Sequence, residues 1–115
     1  ILASDYVTAL DGRMVLRREV DHALHGLDAL ILPTVPIVAP PLGASTVRVG
    51  TTEEPVRNAM LRLTQLFNVT GHPAISLPCG VSAEGLPCGL QLASAHGRTD
   101  ALLEVARCVE LTLAS

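Results

Sequence analysis

Between Pro33 and Gly50 the chain carries Pro33, Pro36, Pro40 and Pro41, together with Gly43 and several Ser and Thr residues. Each proline removes a backbone donor and fixes φ, and the residue before it is pushed out of the helical region. Neither a helix nor a long strand is expected to persist there, so the stretch reads as an ordered loop or extended connection. It divides a chain of 115 residues, which has room for one domain and can bury roughly two thirds of its unfolded surface.

Upstream of this divide, Val7, Leu10, Met14, Val20 and Leu24 recur at three- to four-residue steps and predict a helix from about Ser4 to Leu24. Gly12 weakens it by about 1 kcal/mol relative to Ala, and Gly26 offers a left-handed C-cap. Leu27 to Leu32 is a nearly unbroken apolar run closed by Pro33, the pattern of a short strand covered on both faces. Downstream, Thr51 and Glu54 match a capping box with Pro55 in the first turn. The helix this predicts has Val56, Met60, Leu63 and Phe67 on one face. Ala74 to Leu77 and Cys88 to Ala93 predict two strands, joined by turn chemistry from Gly80 to Gly85. In the second, Leu90 and Leu92 point one way and Gln91 the other. Thr99 and Asp100 open a last helix whose buried face is expected to hold Leu102, Leu103, Ala106, Val109 and Leu113.

The order helix, strand, loop, helix, strand, strand, helix predicts an α/β fold. Three short strands with flanking helices make a narrow sheet with exposed edges unless further strands pair alongside. The composition points the same way: 49% of residues are hydrophobic, yet there is one Phe, one Tyr and no Trp, and the mean hydropathy is +0.43. So much apolar surface in a short chain is expected to face a larger body. The lack of an initiating Met and a first residue close to a helical pattern suggest a truncated chain.

Charge and cysteine usage exclude several classes. The net charge is −3 and Arg17-Arg18 is the one adjacent basic pair, so direct nucleic-acid binding is not expected. No apolar run approaches the ~20 residues of a membrane span, and Ile1 does not begin a signal peptide. Cys79, Cys88 and Cys108 are odd in number and lack metal-ligand spacing, which favours reduced thiols and a cytoplasmic setting. A Cys79–Cys88 bridge across a hairpin is conceivable but ranks well below free thiols.

Several ordered segments carry a family resemblance. They are Phe67-Asn68-Val69-Thr70-Gly71-His72-Pro73-Ala74-Ile75-Ser76-Leu77-Pro78-Cys79-Gly80 and Gly85-Leu86-Pro87-Cys88-Gly89-Leu90-Gln91-Leu92. Upstream lie Asp28-Ala29-Leu30-Ile31-Leu32-Pro33-Thr34-Val35-Pro36, Ala39-Pro40-Pro41-Leu42-Gly43, and Arg62 with Thr64. This set resembles the C-terminal end of amidase signature enzymes over essentially the whole chain. The resemblance implies that residues 1–115 are the C-terminal segment of an incomplete amidase signature domain, with strands belonging to a larger mixed sheet. It also implies hydrolysis of a carbon–nitrogen amide bond, in a small amide, by a serine nucleophile activated through a second serine and a lysine, with no cofactor. This chain has no lysine, no adjacent serine pair and no Gly-Gly-Ser-Ser-Gly loop. A neutral serine attacks poorly without its base and oxyanion donors. The segment alone is therefore expected to be inert, with the catalytic portion of the protein as its partner.

The resemblance places Thr34, Phe67 and Cys88 as candidate substrate-pocket residues, against ordinary packing as the commoner role. No catalytic or metal-ligating residue is expected. Cys79 or Cys88 with His72 or His96 forms a tempting nucleophile pair, but both thiols sit in apolar strand contexts. His22 and His25, near Glu19 and Asp21, read as a solvated helix face rather than a metal site. Ser76 sits mid-strand, its hydroxyl expected to bond locally. Within the family, the amidase subunit of a glutamine-dependent tRNA amidotransferase is an alternative parent. From another class, the chain could be a noncatalytic binding or assembly module on the same scaffold. Self-association stays open.

Overall fold

A computed structural model describes all residues from Ile1 to Ser115. The chain begins with helix α1 (Ala3–Ala23), then strand β1 (Leu30–Pro33). A small ribbon of β2 (Thr46–Val49) and β3 (Thr52–Pro55) follows the proline-rich connection. Helices α2 (Val56–Leu61) and α3 (Gln65–Thr70), strands β4 (Ala74–Val81) and β5 (Pro87–Ala93), and helix α4 (Thr99–Leu113) complete the α/β arrangement.

The main sheet has the order β1-β5-β4, with both pairings antiparallel. Strand β5 therefore sits in the centre, and its alternation serves both faces. On one face Leu92 and Leu77 pack with Leu102 and Ala106 of α4, flanked by Ile75, Val105 and Val109. On the other, Ala93 packs with Val20 of α1, Leu24 just past that helix and Phe67 of α3, with Leu32 and Leu66 alongside. Both clusters hang on adjacent residues of one strand, because successive side chains leave a sheet on opposite faces. The expected opposition of Leu92 and Gln91 is observed: Gln91 donates its Nε2–H to the Leu63 carbonyl at 3.2 Å on the α3 side.

Several local expectations change. Thr46 to Val49 pair with Thr52 to Pro55, so the region expected to be irregular ends in a hairpin and the Thr51–Glu54 capping box does not form. Gly50, with φ of 60°, opens the two-residue turn, the position at which a II′ hairpin needs a residue tolerant of positive φ. The Thr46 hydroxyl donates to Glu53 across the ribbon, while Glu54 bonds Arg62 just past α2. The single helix expected over Val56 to Phe67 is two helices. The Leu63 carbonyl lies in the turn between them and accepts the Gln91 amide there. At α4 the N-cap is Arg98 without a side-chain cap bond. Leu102 and Ala106 are buried there, whereas Leu103 and Leu113, expected inside, are exposed.

Strand β1 begins only at Leu30, because the turn through Gly26, with φ of 74°, takes up the preceding residues. It is not covered on both faces: Leu30 and Ile31 are exposed. Along α1, which runs unbroken through Gly12, Val7, Leu10 and Met14 are also exposed, and Val20 is the buried residue of the helix. The surface carries the same message in bulk. A 12.0 kDa chain folded as an ordinary monomer exposes about 6,000 Å², whereas this one exposes 8007 Å². Its radius of gyration is 16.4 Å, against about 13 Å for a compact domain of 100 residues. The excess, on the order of 2,000 Å², is well above the roughly 800 Å² that one partner buries in a standard protein interface.

Truncating Leu92, which is fully buried between β4 and α4, to Ala is expected to cost about 2–5 kcal/mol. Leu10→Ala on the exposed stretch of α1 is expected to change the stability of the isolated chain by no more than about 0.5 kcal/mol. Urea unfolding of the two variants checks both.

Candidate functional site

The face of the main sheet that carries Gln91 is hollowed beside α3. The hollow measures about 300 Å³ and is bordered by Thr34, Phe67, Asn68, His72, Ser76 and Gln91, among others. Local folding explains how these residues converge. Gly71 caps α3 in the left-handed region, with φ of 78°, where a side chain would be strained. This lets the chain reverse through His72-Pro73 directly into β4. Ser76 and Gln91 are cross-strand partners, while the Thr34 N–H, just past β1, donates to the Gly89 carbonyl at 2.9 Å.

Gly89 is the hinge of this geometry. A Cβ there would lie 2.8 Å from Thr34 Oγ1 and 3.0 Å from Ser76 Oγ. Absence of a side chain lets the two hydroxyls meet over the strand, 2.5 Å apart. The local bond expected for Ser76 is thus made, and its partner lies 42 residues away. Neither hydroxyl is bonded to a carboxylate or imidazole, so Ser76 has no base to raise its nucleophilicity. The pair can offer a donor and an acceptor to a bound polar group.

Of the candidate pocket residues, Thr34 and Phe67 share this hollow. Phe67 is also a core residue, 3% exposed. Cys88 instead borders a neighbouring hollow of about 200 Å³ with Pro36, Ile37, Pro87 and Gly89. Its Sγ is directed at the Leu86 carbonyl, 3.8 Å away. All three cysteines are free, and Cys79 is exposed. Cys79 occupies the bulge between Pro78 and Gly80, so Gly80, not Cys79, stands opposite Cys88.

The histidines form no pair with a thiol. His72 Nδ1 bonds Thr70 Oγ1 at 2.8 Å and its Nε2 bonds Asp21 Oδ1 at 2.9 Å. His96 Nε2 donates to the Thr70 carbonyl at 3.2 Å, and the two imidazole centroids are 4.1 Å apart. His22 and His25 are exposed on and just beyond α1, as expected of a solvated face. Sequence reading singled out His72 and His96 but not their meeting with Asp21. His72 and Asp21 are 51 residues apart in the chain, and no spacing rule links them. Asn68 and Gln91 were legible as turn and strand residues, without a signal that they share a hollow.

Burial pushes the His96 imidazole below its ordinary range, and the neighbouring His72 and Arg17 push it the same way, against Asp21 and the Thr70 carbonyl.

The pattern defining the Amidase family matches residues 2–103. The chain is 46% identical over 92 residues to a 6-aminohexanoate-cyclic-dimer hydrolase of Paenarthrobacter ureafaciens, a match covering 74% of this chain and 19% of that protein. It is 37% identical over 106 residues to a glutamyl-tRNA(Gln) amidotransferase subunit of a Picosynechococcus species, covering 91% of this chain and 21% of that protein. A solved structure of a 6-aminohexanoate cyclic dimer hydrolase superposes with a TM-score of 0.85 at 36% identity, over 98% of this chain and 25% of the other. The chain belongs to the amidase family, and its fold matches part of the amidase signature fold. It spans about a fifth of the length of these curated relatives.

Gly89→Ala is expected to force Thr34 and Ser76 apart and destabilise the fold by about 1–3 kcal/mol. Thr34→Ala in the same chain should recover part of the loss, a non-additivity that thermal or denaturant melts of the single and double variants would show. For His96 the lowered folded value fixes the sign: the unfolded chain binds the proton more readily. Stability is therefore full above the ordinary histidine value of about 6.5 and declines as pH falls below it towards the folded value. His96→Gln should flatten that part of the stability–pH curve.

Proposed function

We propose that this chain is the C-terminal part of a hydrolase that cleaves a carbon–nitrogen bond in a small amide. The serine–serine–lysine machinery lies in polypeptide outside these residues. The observation that carries the reading is the family match across residues 2–103 in a chain without lysine. Amide hydrolysis needs an activated nucleophile and preorganised oxyanion donors, and neither is assembled among these side chains. What the chain contributes is a wall. Thr34 and Phe67 line one hollow and Cys88 the next, with Gly89 between them, and the hydroxyl pair of Thr34 and Ser76 supplies polar contact in an otherwise shape-selective surface. The exposed apolar side chains of α1 and β1 supply the seam to the catalytic portion.

A second reading within the family rests on the match to the tRNA amidotransferase subunit, which is 37% identical and covers 91% of the chain. In that version the amide hydrolysed would be glutamine and the ammonia would pass to a partner subunit.

The segment alone is expected to release no ammonia or amine above background from a panel of amides that includes glutamine. Together with an N-terminal amidase portion carrying the lysine and serine loop, it should restore hydrolysis. Turnover by the lone segment, or an assembled protein that folds yet hydrolyses none of the panel, would overturn the proposal. In the assembled enzyme Thr34→Val is expected to change KM by about tenfold for amides of different shape, since a pocket contact is worth ~1–3 kcal/mol.

A further inference from the structure

One cluster of ligand-bearing side chains takes no part in the amide chemistry above. A single ligand atom from each of Asp21, His72 and His96 lies within 4.8 Å of the other two. We propose that Asp21, His72 and His96 form a binding site for one divalent transition-metal ion of the zinc type, an ion that ties α1 to the segments before β4 and after β5.

The donor set is chemically apt: two imidazoles and one carboxylate suit zinc, nickel and cobalt ions, and three protein ligands leave a fourth position for water or another donor. The outer partners are already in place, because one residue orients both rings. Thr70 Oγ1 is 2.8 Å from His72 Nδ1, and the Thr70 carbonyl is 3.2 Å from His96 Nε2. Metal-bound histidines characteristically donate their other ring N–H to such an oxygen.

The proton bookkeeping also closes. His72 Nε2 now gives its hydrogen to Asp21 Oδ1. When Nε2 binds the ion, the ring takes the tautomer with hydrogen on Nδ1. Thr70 Oγ1 accepts that hydrogen while its own goes to the Leu66 carbonyl at 2.9 Å. At His96 the carbonyl of Thr70 can only accept, so the neutral ring holds its hydrogen on Nε2 and its lone pair on Nδ1.

Geometry and access are compatible with binding. Ligand bonds of about 2.0–2.2 Å require donor atoms some 3.3–3.5 Å apart, so the widest separation, within 4.8 Å, must close by roughly an ångström while Asp21 Oδ1 and His72 Nε2, now 2.9 Å apart, part slightly. The His72 side chain is fully buried and fixed, whereas the Asp21 side chain is 46% exposed and free to move towards an ion arriving from solvent. Arg17 places a positive charge near His96, which weakens affinity without blocking the site.

The test is equilibrium dialysis of the protein, in its whole natural sequence and stripped with chelator, against zinc chloride, alongside melts with and without zinc. The wild type is expected to gain one zinc per chain at this site and a higher melting temperature. His96→Gln and Asp21→Asn should each weaken that binding at least tenfold and abolish the increment in melting temperature. Asp21→Asn keeps an acceptor for the His72 Nε2–H and so leaves the fold in place. No uptake by the wild type, or wild-type zinc affinity retained by either folded variant, overturns the proposal.

Discussion

Everything in this molecule is arranged about one central strand. β5 pairs on both sides, with β1 and β4, and its residues Leu92 and Ala93 anchor separate apolar clusters on opposite faces. A one-residue slip would exchange the two faces and leave both clusters without their partners. Register is held by the close approach at Gly89, which admits Thr34 and Ser76 and no side chain of its own. It is also held by Gln91, whose amide reaches the Leu63 carbonyl between α2 and α3.

That dependence explains why packing and the candidate pocket are inseparable. Phe67 is both core and pocket wall, and the hydroxyl pair that borders the hollow exists because a core strand carries glycine at one position. Only 13 of 115 residues are buried, so the core is thin for a chain with this hydropathy. Many of the remaining apolar side chains, above all on α1 and at Leu30 and Ile31 of β1, are exposed. A protein of the amidase family that spans a fifth of its relatives' length shows the same imbalance in its surface area.

The parts of the fold that could be read from sequence were those set by local chemistry. The β4–β5 pair followed from two alternating runs and the Gly80–Gly85 turn, whose two glycines adopt positive φ. Where two local signals competed, reading failed: Thr51 and Glu54 looked like a helix start, but the β-branched Thr46, Val47 and Val49 and the turn at Gly50 drew the same residues into a ribbon. The exposure of Val7, Leu10 and Met14 was invisible to periodicity, which reports that a helix has an apolar stripe and not whether this chain covers it. Meetings of distant residues, Thr34 with Ser76 and Asp21 with His72, lie beyond any spacing rule.

The outer edges of the main sheet have a further consequence. Strands β1 and β4 each pair on one side only within this chain, leaving rows of amide and carbonyl groups that every amino acid supplies alike. An additional strand joining there would be recognised by main-chain geometry rather than by side-chain identity. A strand added at one border or the other could diverge widely in sequence and still dock, with the Pro33 stop on β1 or the Cys79 bulge on β4 limiting how far it runs.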